Sequence, residues 1–159
     1  MNIFKSLIGF LGRALFSIIF ISSALNQIFD WQGTMQYFNQ GMTDWLALSA
    51  GSESQQNFFE WGLANAGLLL AVAVIFQLVG GLMVFFGLWV RFGALLLFLF
   101  LIPTTYIFHH FWQFQGPDRM MQMIMFMKNI SIIGGTLYLM AYGKGCNCAH
   151  HHDHVPKAE

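Results

Sequence analysis

The stretch GLANAGLLLAVAVIFQLVGGLMVFFGL, residues 62–88, contains no Asp, Glu, Lys or Arg. A hydrocarbon core of about 30 Å is crossed by ~20 apolar residues wound into a helix, so this segment is long and apolar enough for one crossing. Three further stretches qualify on the same grounds, roughly 8–29, 92–111 and 122–142. In 159 residues, four crossings leave room for one domain and little else. Composition agrees. Charged residues make up 9% of the chain and apolar ones 57%, with 18 Phe, whereas a soluble domain carries about a quarter charged residues. So few charges cannot clothe a soluble surface, and lipid accepts the same surface without penalty. The expected fold class is all-α: an integral membrane bundle of four transmembrane helices over residues 1–143, followed by a short tail, 144–159.

Small residues are scattered through every span, as in helices packed side by side in lipid. Gly80, Gly81, Gly134 and Gly135 are expected to let backbones approach closely. Only Trp89, Val90 and Arg91 separate the second and third spans, which makes them an antiparallel hairpin. The first span has one competing reading, a secretory signal. Lys5 and Arg13 precede its apolar stretch, and Ser22-Ser23-Ala24 resembles a cleavage site. Against that, the apolar character runs on through Leu25, Ile28 and Phe29, and removal would leave an odd number of spans.

Net charge is zero, which gives no footprint for nucleic acid; the placement of the bases says more. Lys5, Arg13, Arg91, Lys144 and Lys157 fall on one side of alternating spans and Arg119 on the other, with Lys128 left within the fourth span. The positive-inside rule then sets both ends in the cytoplasm. The outer segment 30–60 contains no Lys or Arg. Within it Met35, Phe38, Met42 and Trp45 recur at spacings of three, four and three, one apolar face of a helix. A short interfacial helix is expected there, lying at the outer surface or capping the bundle. Residues 49–56 read as a polar turn.

Polar groups inside spans are the informative ones, because each is costly in lipid. Arg13 lies about five residues inside the first span and Lys128 about six inside the fourth, ~8 and ~9 Å from the nearest surface, near enough for both to stretch toward water. Residues late in spans one and three share the outer half with those early in spans two and four. That brings Asn26, Asp30, Glu60, His109, His110, Gln122, Lys128 and Asn129 to similar depths. Asn26 and Asp30, four apart, share a helix face. Such a gathering can build a wet pocket in which a histidine exchanges protons and Lys128 holds an anion or a carboxylate. The plainer reading of His109, His110 and Trp112 is an aromatic interfacial belt, and two adjacent histidines cannot both face one pocket. Pro103 is expected to bend the third helix and free a carbonyl. Gln77, near mid-membrane, reads first as an amide hydrogen-bonded to a neighbouring helix.

Read in order, these residues resemble the DoxX family. Arg13-Ala14-Leu15-Phe16-Ser17 through Asn26, with Gly33-Thr34-Met35-Gln36-Tyr37, is similar to its first span and the loop after it. Gln77-Leu78-Val79-Gly80-Gly81-Leu82, then Gly87-Leu88 and Arg91, resembles its second span and tight turn. Pro103 with Phe108-His109-His110-Phe111-Trp112 resembles the end of its third span, and Met127-Lys128-Asn129-Ile130 with Gly134-Gly135 resembles its fourth. The likeness covers roughly residues 13–143. It implies a small four-helix inner-membrane protein of a bacterium or archaeon. Relatives are tied to quinone-linked sulfur oxidation and to membrane oxidoreductase assemblies. By the same resemblance the motif positions are Arg13, Asn26, His109, Trp112, Lys128 and Asn129. One departure stands out: the family pattern often has Glu where this chain has Gln77, and an amide cannot carry a proton on and off.

The tail holds Cys146, Cys148, His150, His151, His152 and His154 within nine residues. Two cysteines so close cannot staple a domain. Thiolates and imidazoles suit Zn, and the two sulfurs suit Cu(I), so a metal-binding tail is one reading and a tail of no consequence the other.

Three functions follow. The first is a subunit or accessory of a quinone-linked redox system, which needs a redox partner protein because no flavin-, haem- or cluster-binding pattern is present. The second is a non-catalytic scaffold or assembly factor whose polar residues form a structural network. The third is metal handling through the tail. No nucleophile with a base and no paired carboxylates at working distance appear, so no catalytic residue is assigned. The expected partners are the lipid bilayer and the redox protein, with a homo-oligomer left open and nucleic acid excluded.

Overall fold

In lipid, every backbone N–H and C=O must find a partner within the protein, which makes helices of long apolar runs. The computed structural model describes residues 3–49 and 51–144, the Lys5 side chain apart. The described residues form α1 (Ile3–Phe29), α2 (Trp31–Leu48), α3 (Glu53–Ala64), α4 (Ala66–Phe86), α5 (Val90–Phe108), a 3₁₀ turn (Phe111–Gln113) and α6 (Gly116–Tyr142). Four segments are long and apolar enough to cross a membrane: Ser6–Phe29, Ala66–Phe86, Val90–Gln113 and Gly116–Tyr142. The four-helix membrane bundle read from the sequence is the fold.

Helix α4 shows how uniform hydrophobicity is sorted. Leu68, Val72, Ile75, Val79, Leu82 and Phe86 form an exposed stripe at helical spacing, the face that lipid covers. The opposite stripe, Ala66, Leu70, Val74, Gln77, Gly80, Gly81 and Val84, is buried. All four small or polar residues of that list face inward, where backbones must meet.

The helices pack in a row, α1 on α4, α4 on α5 and α5 on α6. At the α4–α5 joint a Cβ built on Gly80 would lie 2.8 Å from the Gly93 carbonyl oxygen, and one on Gly93 would lie 3.0 Å from that of Gly80. The two backbones touch there. At the α1–α4 joint a Cβ on Gly81 would come within 3.1 Å of Ile21. Gly135 faces the Phe16 ring, whereas Gly134 meets nothing, so three of the four glycines expected at helix contacts are there and Gly134 is not. The α4–α5 hairpin turns on Gly87, whose left-handed conformation (φ 68°) ends α4 while the Leu88 amide donates to the Met83 carbonyl at 2.9 Å.

Boundaries depart from the sequence reading in three places. The second span begins at Ala66, because residues 53–64 form the separate helix α3. Asn65 divides the two; its side-chain amide donates to the Trp61 carbonyl at 2.8 Å, spending an acceptor at the end of α3. The polar turn is correspondingly short, with Ser49 closing α2 and α3 starting at Glu53. Helix α6 begins at Gly116 rather than near 122, with Pro117 in its first turn, where a missing N–H costs nothing.

The segment between the first two spans is therefore a helical pair. Phe38, Met42 and Trp45 of α2 are buried with Phe59 of α3, and with Ala24, Leu70, Val74 and Ile107 of the long helices. Trp45 Nε1 donates to the Ile107 carbonyl at 2.9 Å, and His110 Nδ1 meets the same oxygen at 2.8 Å. That carbonyl lies near the end of α5, where intrahelical donors run out. A second apolar cluster, Phe20, Val84, Val90, Leu97 and Leu101, fills the other end.

Candidate functional site

Helices α1 and α6 close the row without backbone contact; the Phe16 ring against Gly135 spans the gap. Toward the end bearing α2 and α3 the gap opens into a cavity of about 190 Å³. Gln77, His109, Lys128 and Asn129, all singled out in the sequence, line it together with Ser23, Gln27 and Thr104.

Gln77 stands on the buried stripe of α4, 2% exposed, and its Oε1 is buried with no hydrogen-bond partner. No interhelical bond from this oxygen is present, although Gln77 itself lines the cavity. An unpaired polar atom at this depth costs about 1–3 kcal/mol, which marks the position as one that a ligand can complete. Asn129, 7% exposed, comes from α6. Lys128 sits at the exposed rim, where its Nζ lies 3.4 Å from Met125 Sδ, and a thioether is a weak acceptor for an ammonium group.

His109 Nδ1 lies 2.9 Å from Gln122 Oε1. With that oxygen accepting, Nδ1 carries the hydrogen and Nε2 is left as an acceptor. His110 turns the other way, buried against Trp45 (5.0 Å between ring centroids) and Phe114 (5.2 Å). One histidine thus belongs to the cavity and its neighbour to the packing of α2 on α5.

Other candidates lie elsewhere. Arg13 is at the opposite end, with Nη1 3.5 Å from the Lys144 carbonyl. Asp30 caps α2, its Oδ1 accepting from the Gly33 amide at 3.1 Å. Asn26 is exposed, and its carbonyl accepts from the Asp30 amide at 2.9 Å. Trp112, 44% exposed, packs among Phe111, Phe126 and Tyr106, in keeping with the aromatic-belt reading. Pro103 lines a second, apolar cavity of about 340 Å³ between α2, α3, α4 and α5; Phe100 and Thr104 line both cavities. Cys146, Cys148, His150, His151, His152 and His154 lie outside the described residues. Among the described residues no three His, Cys, Asp or Glu gather to hold a metal.

Three of the polar lining residues, Ser23, Gln27 and Thr104, were not expected. Ser23 and Gln27 are hydrogen-bonded to each other (3.2 Å). The signal for Gln27 is the inward stripe of α1, Ser17, Phe20, Ala24 and Gln27, at spacings of three, four and three. Ser17 is fully buried on that stripe, and its Oγ also lacks a partner.

The sequence model of the DoxX family matches residues 8–110. Inner membrane protein YqjF of Escherichia coli (strain K12) is 28% identical over 133 residues, covering 84% of this chain and 82% of that protein. Inner membrane protein YphA of the same organism is 32% identical over 78 residues, 49% of this chain and 56% of that protein. No solved structure matches the chain. The family match stops before α6, so Lys128 and Asn129 rest on the geometry of the cavity.

Proposed function

We propose that this chain, which belongs to the DoxX family and is an integral protein of the inner membrane, binds the head of a quinone in the α1–α6 seam as a subunit or accessory of a membrane redox system. The observation that carries this reading is the cavity that Gln77, His109, Lys128 and Asn129 line together, beside a Gln77 Oε1 that is buried without a partner. A quinol hydroxyl would supply the donor that this oxygen lacks once the amide turns toward the cavity. A quinone carbonyl accepts from the Asn129 amide or from Lys128, whose ammonium otherwise has only the Met125 sulfur. The apolar cavity beyond Phe100 and Thr104 gives the hydrocarbon part of such a molecule a place to lie. Gln77 and Asn129 bind and orient, while His109 Nε2 is positioned to take or give a proton. The electrons come from a partner protein.

Charge placement supports an orientation with both ends in the cytoplasm. Among the described residues the carboxylates are Asp30, Asp44, Glu53, Glu60 and Asp118, all from the end bearing α2 and α3, while Arg13, Arg91 and Lys144 gather at the other. The α2–α3 pair then lies at the periplasmic surface. An impermeant thiol reagent on intact cells should reach Gly51→Cys and spare Cys146 and Cys148; the opposite pattern reverses the assignment.

The binding reading is tested on protein purified in mild detergent. Solvent extraction should release quinone from the wild type, with little from Gln77→Leu at equal yield of folded protein. Membranes lacking the chain should lose a quinone-reducing activity that the wild type restores and Lys128→Ala does not. Unchanged quinone content and unchanged rates in both comparisons would leave the proposal without support.

A second reading draws on the internally paired contacts, His109 with Gln122 and Gln27 with Ser23. A scaffold or assembly factor needs only such satisfied contacts. It predicts that His109→Ala and Lys128→Ala lower protein abundance and leave turnover per molecule unchanged.

A further inference from the structure

At the end of the bundle away from the polar cavity, three cations from three helical segments converge. Arg13 reaches across from α1, Arg91 opens α5, and Lys144 follows α6. They come together because two glycines end the neighbouring helices. A Cβ on Gly87 would lie 3.6 Å from Arg13 Nε and Nη2 and 3.4 Å from Lys144 Cε, and one on Gly143 would lie 3.4 Å from Arg91 Nε. Both guanidinium groups therefore lie flush on helix C-termini, where the dipole favours positive charge.

Their hydrogen bonds are few and long. Arg13 Nη1 is 3.5 Å from the Lys144 carbonyl and Arg91 Nη2 is 3.3 Å from that of Ala141, while Arg13 Nε is buried with no partner. A guanidinium has five N–H donors, so most of these remain unspent. Every carboxylate of the described residues belongs to the far end, so none of these neutralises the cluster. Beside it is a cleft of about 410 Å³, with Arg91 and Lys144 set among Trp89, Phe92 and Tyr142. Trp89 is the sole non-glycine residue of positive φ (46°) among the described residues, and its side chain is 79% exposed. That conformation is uncommon for a bulky residue, and here it accompanies an indole presented at the mouth of the cleft.

We infer that this cleft binds the headgroup of an anionic phospholipid. The phosphate lies between Arg91 and Lys144, with Arg13 behind them adding charge, and the glycerol and upper acyl carbons rest on Trp89, Phe92 and Tyr142. Fork-shaped guanidinium groups match phosphate oxygens, and basic clefts between membrane helices take lipid headgroups of this class. The lining decides between a lipid and free phosphate. Three large aromatic side chains around two cations suit a molecule that is charged at one end and apolar at the other. This site is separate from the quinone cavity and does not depend on it.

Native mass spectrometry of the full-length chain, released from detergent after incubation with phosphatidylglycerol or phosphatidylcholine of the same acyl chains, tests the assignment. Phosphatidylglycerol should be retained preferentially, and Arg91→Gln and Lys144→Gln should each reduce that preference about fivefold. Arg119→Gln, at the other end of the molecule, should leave it unchanged. Melting temperatures of the lipid-free variants identify any that fail to fold, and Lys144→Gln keeps the test open should Arg91→Gln be one of them. Equal retention of the two lipids, or equal loss in Arg119→Gln, overturns the proposal. Glycerol 3-phosphate binding as tightly as the lipid, with the same Arg91 dependence, would make this a site for free phosphate and overturn it too.

Discussion

The α4–α5 joint and the α1–α6 seam are built from the same kinds of residue and reach opposite results. At the first, Gly80 and Gly93 bring two backbones into contact, and the fully buried Leu97 and Val84 fill the space beside them. At the second, a phenyl ring stands between the helices, and the space left over holds Gln77, Asn129 and a void. In lipid there is no water to drive helices together, so close packing decides how tightly they join. Where small residues face each other, the joint is dry and rigid. Where one large spacer intervenes, polar groups can be kept.

The contrast can be broken by exchanging the two kinds of contact. Gly93→Leu should do the most harm, because its side chain would meet the Gly80 carbonyl and Met83 Cβ. We expect a loss on the order of 3 kcal/mol or more, seen as absence of the folded peak in size-exclusion chromatography of detergent extracts; a normal yield would mean that the joint is not tight. Gly135→Ala presses on Phe16, where a Cβ would lie 2.8 Å from the ring. It should cost about 1–2 kcal/mol, with Phe16→Ala recovering part of the loss in the double variant. Additive losses in that thermal-unfolding cycle would show that the ring is not the spacer.

Gln77→Leu works in the other direction. Removing the unpaired amide should raise stability by about 1 kcal/mol while quinone retention falls, the pattern of a site maintained at the expense of stability. A lower melting temperature would mean that the amide has a partner after all. Gly134→Ala, facing open space one residue from Gly135, should stay within about 0.5 kcal/mol of the wild type, and a larger effect would place Gly134 at a contact with another molecule.

Level along the bundle was legible from the sequence, and azimuth only in part. Counting residues from the ends of the spans brought Gln122, Lys128, Asn129 and His109 to one level, and the structure places all but Gln122 on one cavity, with Gln122 bonded to His109. The same counting favoured Asn26, yet Gln27 is the one that faces in. Adjacent residues on a helix point about 100° apart, and only the buried stripe through Ser17, Phe20 and Ala24 tells them apart. Asp30 was grouped with the pocket for its depth, although a carboxylate immediately before a helix is a capping signal first. The separation of α3 from α4 was hidden because Phe58, Phe59 and Trp61 carry apolar character up to Asn65 and the start of α4. The tight turn at Gly87 needed no structure to find, since so few residues between two spans leave one arrangement.

A row of three joints in which the outermost members are linked through a phenyl ring is a clasp. The α1–α6 seam is the joint without backbone contact, held by side chains such as Phe16 against Gly135. If the quinone proposal holds, its ligand would enter sideways, from the plane of the bilayer, through that seam and not through the close-packed glycine joint of α4 and α5.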